Sequence, residues 1–134
     1  VGITSYSPVA RGVLTGKYLP GQPPAEGSRA ARGDRRIAQT EWRAESLEIA
    51  QTLHKQVHER GVTLAQFATA WVLAHPAVSS VIAGPRTLAQ WQDYAPALGY
   101  ALTEEDEALV DSLVAPGHPS TPGYNDPAYP LDGR

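Results

Sequence analysis

With 134 residues, 42% of them hydrophobic, the chain has the size of a single domain and enough apolar content for a core. It contains no cysteine, which excludes disulfides, thiolate nucleophiles and cysteine metal sites, and its formal charge of −3 argues against a nucleic-acid surface, which needs a clustered basic face. No apolar run approaches the roughly 20 residues of a membrane span and no signal-peptide pattern opens the chain, so it reads as a soluble protein, and a cytoplasmic location suits its lack of disulfides.

Val1 to Tyr6 reads as a short strand, in which Ile3 and the β-branched Thr4 favour extension. Ser7-Pro8 ends it, because proline cannot donate to a ladder. A chain that opens inside a strand is expected to be the carboxyl-terminal part of something longer. In the segment from Val9 to Tyr18, Gly12 and Gly16 permit close backbone approach and Lys17 adds a mobile positive charge. A phosphate cradle and a plain surface loop both fit those residues. Residues 19–40 are rich in proline, glycine, alanine and arginine and show little periodicity. They are too long for an ordinary connection and are expected to form a long flexible loop, disordered or serving as a flap. Arg29, Arg32, Arg35 and Arg36 lack the interleaved aromatic residues of a nucleic-acid arm, so a solvated loop is the expectation.

The spacing of Leu47, Ala50, Leu53 and Val57 predicts a helix from Glu41 to Arg60 with one buried stripe, and Gly61 fits the position that ends it. His54 and His58 lie four apart on that helix, as zinc ligands can, but Lys55 stands where a zinc protease motif has its glutamate and no third ligand suggests itself. They are read as surface histidines, and no metal site is expected. Thr63 and Gln66 form a capping box that opens a helix through about His75, with Leu64, Phe67, Ala68, Trp71 and Val72 on its apolar face.

Val78 to Ala83 is small or apolar and partly β-branched, which suits a buried parallel strand. Gly84-Pro85 stops it. Thr87 reads as the N-cap of a helix running to Leu98, with Gln90 completing a capping box. The exposed N–H groups of that helix start favour an anion, and Arg86 at its mouth is suited to pair with one. An ordinary βα turn with a solvated arginine fits the same residues. The second strand and glycine loop, at the amino end, tips the balance towards an anion site. Thr103 caps a last helix from Glu104 to Val114, whose first turn carries Glu104, Glu105 and Asp106 to complement the dipole. Residues 115–134 are proline-rich and irregular.

Strands alternating with helices indicate parallel pairing and an α/β architecture. Two strands make no stable sheet alone, so further strands are expected from elsewhere. In a (β/α)₈ barrel the loops after the seventh and eighth strands build a phosphate site beside a helix start. This chain offers those parts in that order: a glycine loop with Lys17, then Gly84-Pro85-Arg86 before a capped helix.

The stretch Ser5-Tyr6-Ser7-Pro8-Val9-Ala10-Arg11-Gly12-Val13-Leu14-Thr15-Gly16-Lys17-Tyr18 resembles the seventh-strand loop of the aldo-keto reductases, of the branch related to potassium-channel β subunits. Gly61-Val62-Thr63-Leu64-Ala65-Gln66 through Trp71-Val72-Leu73 resembles the family's next helix, and Val81-Ile82-Ala83-Gly84-Pro85-Arg86-Thr87, with Gln90 and Asp93, its eighth-strand cofactor loop. Thr121 to Pro127 is similar to a tail found in some members. The resemblance covers nearly the whole chain. It implies the C-terminal portion of a (β/α)₈ TIM barrel, the last two strands with their helices, with residues 1–114 belonging to one barrel domain and residues 115–134 forming a tail.

It also implies an NADPH site. Tyr6 would stack on the nicotinamide. Ser7, Val9 and the backbone near Ala10 and Gly12 would line the pyrophosphate, with Lys17 contributing charge, and Pro8 and Ile82 complete the lining. Gly84 and Arg86 would surround the 2′-phosphate, and Gln90 and Asp93 would hold the adenosine. Tyr94 stands where members commonly carry asparagine and would stack on or beside the adenine. Asp93 is shorter than the usual glutamate, and Pro85 removes one backbone N–H from the loop. The family's catalytic tyrosine, lysine, aspartate and histidine lie upstream of the matching region, so no catalytic residue is expected here and the segment alone should be inactive. The implied activity is reduction of a small carbonyl substrate, aldehyde or ketone, to an alcohol by hydride transfer, in company with the remainder of the barrel. The other implied role is a non-catalytic, NADP-binding regulatory subunit of the same fold.

Overall fold

The computed structural model describes residues 1–130, so the last four residues of the expected tail lie outside the described region. Two strands, β1 (Ile3–Tyr6) and β2 (Val78–Ile82), pair in parallel. Their register sets Thr4 against Ser80, Ser5 against Val81 and Tyr6 against Ile82, so both strands deliver the chain to the same edge. Between them in sequence lie three helices: α1 (Arg35–Thr40), α2 (Ala44–His58) and α3 (Leu64–Ala74). After β2 come α4 (Leu88–Tyr94) and α5 (Glu104–Leu113). No helix among the described residues is long and apolar enough to cross a membrane.

The core lies between the loop after β1 and helices α1 to α3. Leu47, Ala50, Leu53 and Val57 form the buried stripe of α2 and meet Leu64 and Phe67 of α3, with Val13 and Tyr18 from the loop. Each fully buried Leu, Val or Phe side chain of this set contributes about 1.5–3 kcal/mol of hydrophobic stabilisation. Tyr18, 1% exposed, sets its ring edge-on to Trp42 at 5.0 Å and accepts the Ala30 N–H at 3.3 Å through its hydroxyl.

Four sequence expectations change. Residues 19–40, expected as one loop without an element, contain α1. Asp34 caps it by accepting the Ile37 N–H at 2.9 Å, and Ile37 is 1% exposed in the core. A helix of six residues with one buried apolar side chain leaves no periodicity to read. Helix α2 begins at Ala44 rather than Glu41 and ends at His58, where Gly61, at φ +73°, turns the chain away. Helix α4 stops at Tyr94 instead of Leu98, and residues 95–99 continue as a tighter 3₁₀ stretch. Pro96 has no N–H to return to the Gln92 carbonyl, which ends the α-helical ladder there. Finally, β2 is not a buried strand: Val78 and Val81 are half-buried and Ile82 is 59% exposed. A parallel strand is buried when helices cover both faces, and here α3 is the helix that packs against β2.

The caps follow the sequence closely. Thr63 and Gln66 form the reciprocal box that opens α3, and Thr103 opens α5 in the same way with Asp106 as its partner. At α4, Thr87 accepts the Gln90 N–H, but the Gln90 side chain reaches past Thr87 to the backbone N–H of Arg86.

Candidate functional site

The site grows from the loops that leave the two strands. After Tyr6 the backbone enters the left-handed region at Ser7 (φ +56°), then again at Ala10 (φ +47°) and Arg11 (φ +54°). Three non-glycine residues in that region within five positions each cost of order 1–3 kcal/mol, and such strain gathers at ligand-binding turns. The turn is held by Ala10 N–H to Ser7 O at 2.9 Å, Gly12 N–H to Val9 O at 2.8 Å and the Thr15 hydroxyl to Gly12 O at 2.9 Å. Helix α2 braces its far side, where Gln51 Nε2 donates to the carbonyls of Gly16 and Tyr18 at 2.8 and 2.9 Å. Arg11 turns inward, hydrogen-bonded to Thr40 Oγ1 and ion-paired with Glu41.

Gly12 brings a cation close to the backbone of this turn. At φ +101° it adopts a backbone that side chains avoid, and a Cβ built there would lie 2.9 Å from Lys17 Nζ. Lys17 therefore lays its amino group over the bare Gly12 backbone, 5.1 Å from the centre of the Tyr18 ring.

The second loop, Ala83-Gly84-Pro85-Arg86, leaves Ile82 and opens α4. Gly84 faces open space. Asp93 on α4 accepts the Thr63 hydroxyl at 2.7 Å and the Gln66 amide at 3.4 Å, which ties α4 to the start of α3. Burial raises the Tyr94 hydroxyl above the ordinary tyrosine value, and the neighbouring Asp93 charge adds to the effect.

The two loops enclose one cleft of about 590 Å³. It brings together Tyr6, Ser7, Pro8, Val9, Gly12 and Lys17 from the first loop and Ile82, Gly84, Arg86, Gln90, Asp93 and Tyr94 from the second. Ala10 is the sequence-predicted residue that does not line it. Its left-handed backbone turns it to a separate apolar cavity of about 290 Å³, beside Leu14, Phe67 and Trp71.

Sequence reasoning missed Arg11, Thr15, Arg29, Arg32, Asp34 and Ala65, which line the same cleft. The composition of residues 29–36 predicts solvated arginines, yet Arg29 and Arg32 stand at the cleft. The available signal was Asp34, a capping residue three before an apolar Ile37, which marks a helix start inside the presumed loop. Asp34 accepts the Ile37 N–H and then Arg29 Nε at 2.7 Å, and these donors hold its carboxyl below the ordinary value. Arg29 and Arg11 are thus paired with carboxylates, whereas Lys17, Arg32 and Arg86 have none among the described residues. An exposed aromatic ring at one end, three uncompensated cations and small-residue backbone suit a long, multiply anionic ligand with a flat group.

Residues 1–115 match the model of the Aldo/keto reductase family. The chain is 40% identical over 93 residues to a probable voltage-gated potassium channel subunit beta of Arabidopsis thaliana, spanning 69% of this chain and 28% of that protein. It is 33% identical over 124 residues to an L-glyceraldehyde 3-phosphate reductase of Escherichia coli O157:H7, spanning 87% of this chain and 34% of that one. The chain therefore spans about a third or less of the length of these relatives. Among solved structures, a glycerol dehydrogenase from Gluconobacter oxydans superposes with a TM-score of 0.67 at 24% identity, over 96% of this chain and 38% of that one. This last likeness concerns the fold: the C-terminal part of a (β/α)₈ barrel.

Proposed function

The chain belongs to the aldo/keto reductase family, and from that premise we propose that it supplies most of the NADPH site of a reductase acting on small aldehydes or ketones. The observation that carries the reading is the cleft itself: Tyr6 at the end of β1 and Arg86 just before α4 line one groove, and Lys17 and Arg32 add positive charge to the same lining.

The residues present fit the cofactor. Tyr6 is 64% exposed at the strand end, free to cover a nicotinamide ring. Lys17, lying over Gly12, faces the phosphates, and the missing Cβ leaves its amino group room. Arg86 presents a planar fork to the 2′-phosphate. Gln90 holds the Arg86 loop in shape, and Asp93 and Tyr94, which line the same cleft, would border the adenosine. When bound, NADPH supplies the hydride. This chain's residues bind and orient it, and the family's proton-donating tyrosine with its partners is assigned to the rest of the barrel, so that the segment alone is inactive.

A second reading, a non-catalytic NADP-binding regulatory subunit, draws support from the 40% identity to a probable channel β subunit. One experiment separates the two. The protein containing this segment is titrated with NADPH by fluorescence and then offered a panel of small aldehydes. Binding with turnover supports the reductase, binding without turnover the regulatory subunit, and no NADPH binding overturns both.

A further inference from the structure

We propose that Asp126, in the carboxyl-terminal tail, is a positioning residue for the cofactor cleft: paired with Arg36, it holds α1 so that the cap residue Asp34 keeps Arg29 in place at the cleft. This inference rests on the NADPH reading above.

The tail lies across α1 and the start of α2. Asp126 grips Arg36 at two points, Oδ2 to Nη2 at 2.6 Å and Oδ1 to Nη1 at 3.3 Å, and its Oδ1 also accepts the Ala128 N–H at 2.9 Å. Beside this pair the Arg36 guanidinium lies 5.6 Å from the Tyr129 ring centre, and the Tyr124 hydroxyl donates to the Gln39 carbonyl at 3.0 Å. Arg43, the N-cap residue of α2, anchors the same tail, stacking on Tyr124 at 3.8 Å and donating to Thr121 and Ser120. Three of the tail's side chains thus close on a helix of only six residues.

So short a helix has no stability of its own and takes its shape from what packs on it. On one side α1 is fixed by Ile37 in the core, and on the other by the tail. Its N-cap lies at the cleft. Asp34 caps α1 through the Ile37 N–H and grips Arg29 Nε at 2.7 Å, and both Asp34 and Arg29 line the cleft. Arg36 sits two positions from Asp34, so a tail contact on Arg36 and a cleft contact on Asp34 share one rigid turn. The Arg36–Asp126 pair is itself partly solvated, with side chains 29% and 26% exposed, so its contribution to overall stability is small. Its geometric effect at the cleft is the part that matters.

The test is stopped-flow dissociation of NADPH from the full-length protein, with kcat and the KM for NADPH measured alongside. Asp126→Asn and Arg36→Met should each raise the dissociation rate and that KM about two- to fivefold, the scale of one partly exposed ion pair, with kcat and the unfolding temperature little changed. The charge-swapped double variant, Arg36→Asp with Asp126→Arg, should restore the wild-type rate. Unchanged dissociation in both single variants overturns the proposal, as does a double variant as fast as or faster than the singles. Arg86→Ala serves as the control for the underlying reading: if it weakens NADPH while the tail variants do not, only the positioning role fails. If the wild-type protein holds no NADPH, the functional reading fails first and this inference with it.

Discussion

Gln90 turns its side-chain carbonyl back to accept the backbone N–H of Arg86 at 2.7 Å. The loop before α4 therefore has few main-chain donors left for an anion: Pro85 carries none and Arg86 has given its own to Gln90. In the proposed NADPH site, charge recognition at this end of the cleft would pass to the Arg86 guanidinium, which has no carboxylate partner among the described residues. The loss of the Pro85 N–H already directs the sequence reading towards the Arg86 side chain, and the Gln90 contact takes up a second main-chain donor.

Arg86→Ala is therefore expected to weaken NADPH far more than NADH. Losing a charge-assisted phosphate contact costs about 1.5–3 kcal/mol, or roughly 10- to 150-fold in affinity. Parallel calorimetric titrations with the two cofactors check it, and equal losses for both would reject the 2′-phosphate assignment. Gln90→Ala should give a smaller loss in the same direction, since it frees the loop without removing the charge.

Tyr6 and Ile82 are register partners at the open ends of the two strands, and both line the cleft. Removing the exposed ring in Tyr6→Ala should weaken whole NADPH while leaving adenosine-diphosphate fragments bound as before. Nicotinamide fluorescence on binding is the readout. If its change in Tyr6→Ala matches the wild type, the ring does not stack there.

Gly12→Ala places a methyl group 2.9 Å from Lys17 Nζ in a backbone held at φ +101°. The lysine end is flexible and can move aside, so the steric cost is small. The backbone cost is not, at about 1–3 kcal/mol for a non-glycine residue in a sparsely allowed region. Lower stability in urea unfolding, together with weaker NADPH binding through the displaced Lys17, is the expected result. A variant as stable as the wild type would show that the turn relaxes at no cost.

What could be read from the sequence was local. Thr63 with Gln66, the stripe of Leu47, Ala50, Leu53 and Val57, and the turn at Gly61 all depend on residues within a few positions of one another; the capping box and the stripe match expectation, while the ends of α2 fall two or three residues inside it. The two loops were legible because glycine, proline and a following cap punctuate the chain. The remainder is tertiary. Nothing in their identities announces left-handed backbone at Ser7, Ala10 and Arg11, because glycine is the residue that usually marks it. Arg29 and Arg32 join the cleft through the folding of their own segment, whose Asp34 both caps α1 and pairs with Arg29. Arg43 meets Thr121 and Tyr124 across some eighty positions, a distance over which no periodicity speaks. Ala10, whose backbone the resemblance sets near the pyrophosphate, lines the neighbouring apolar cavity, a placement its identity does not announce.

Asp106 gives the protein a pH dependence of definite sign. Its carboxyl is fully buried at the start of α5. Burial is the strongest influence on it and opposes ionisation, but the Thr103 N–H at 3.0 Å, the Tyr100 hydroxyl at 2.9 Å and the ion pair with Arg60 together outweigh burial and hold the group below its ordinary value of 3.8. A carboxyl depressed in the folded state contributes stability that is complete above the unfolded value and disappears as pH falls through the folded one. Arg60 is 38% exposed, so solvent screens its share, and the two neutral donors carry more of the effect. Asp106→Asn keeps the shape but lacks the charge. At neutral pH it is expected to unfold more easily by about 1–3 kcal/mol, the scale of hydrogen bonds to a buried charged group. Below about pH 4 the two unfolding curves should draw together, because protonation has then removed from the wild type what the substitution removed at the outset. Urea titrations of both proteins between neutral and acid pH read this directly, and a gap that stays constant across the range would place the pH dependence on another carboxylate.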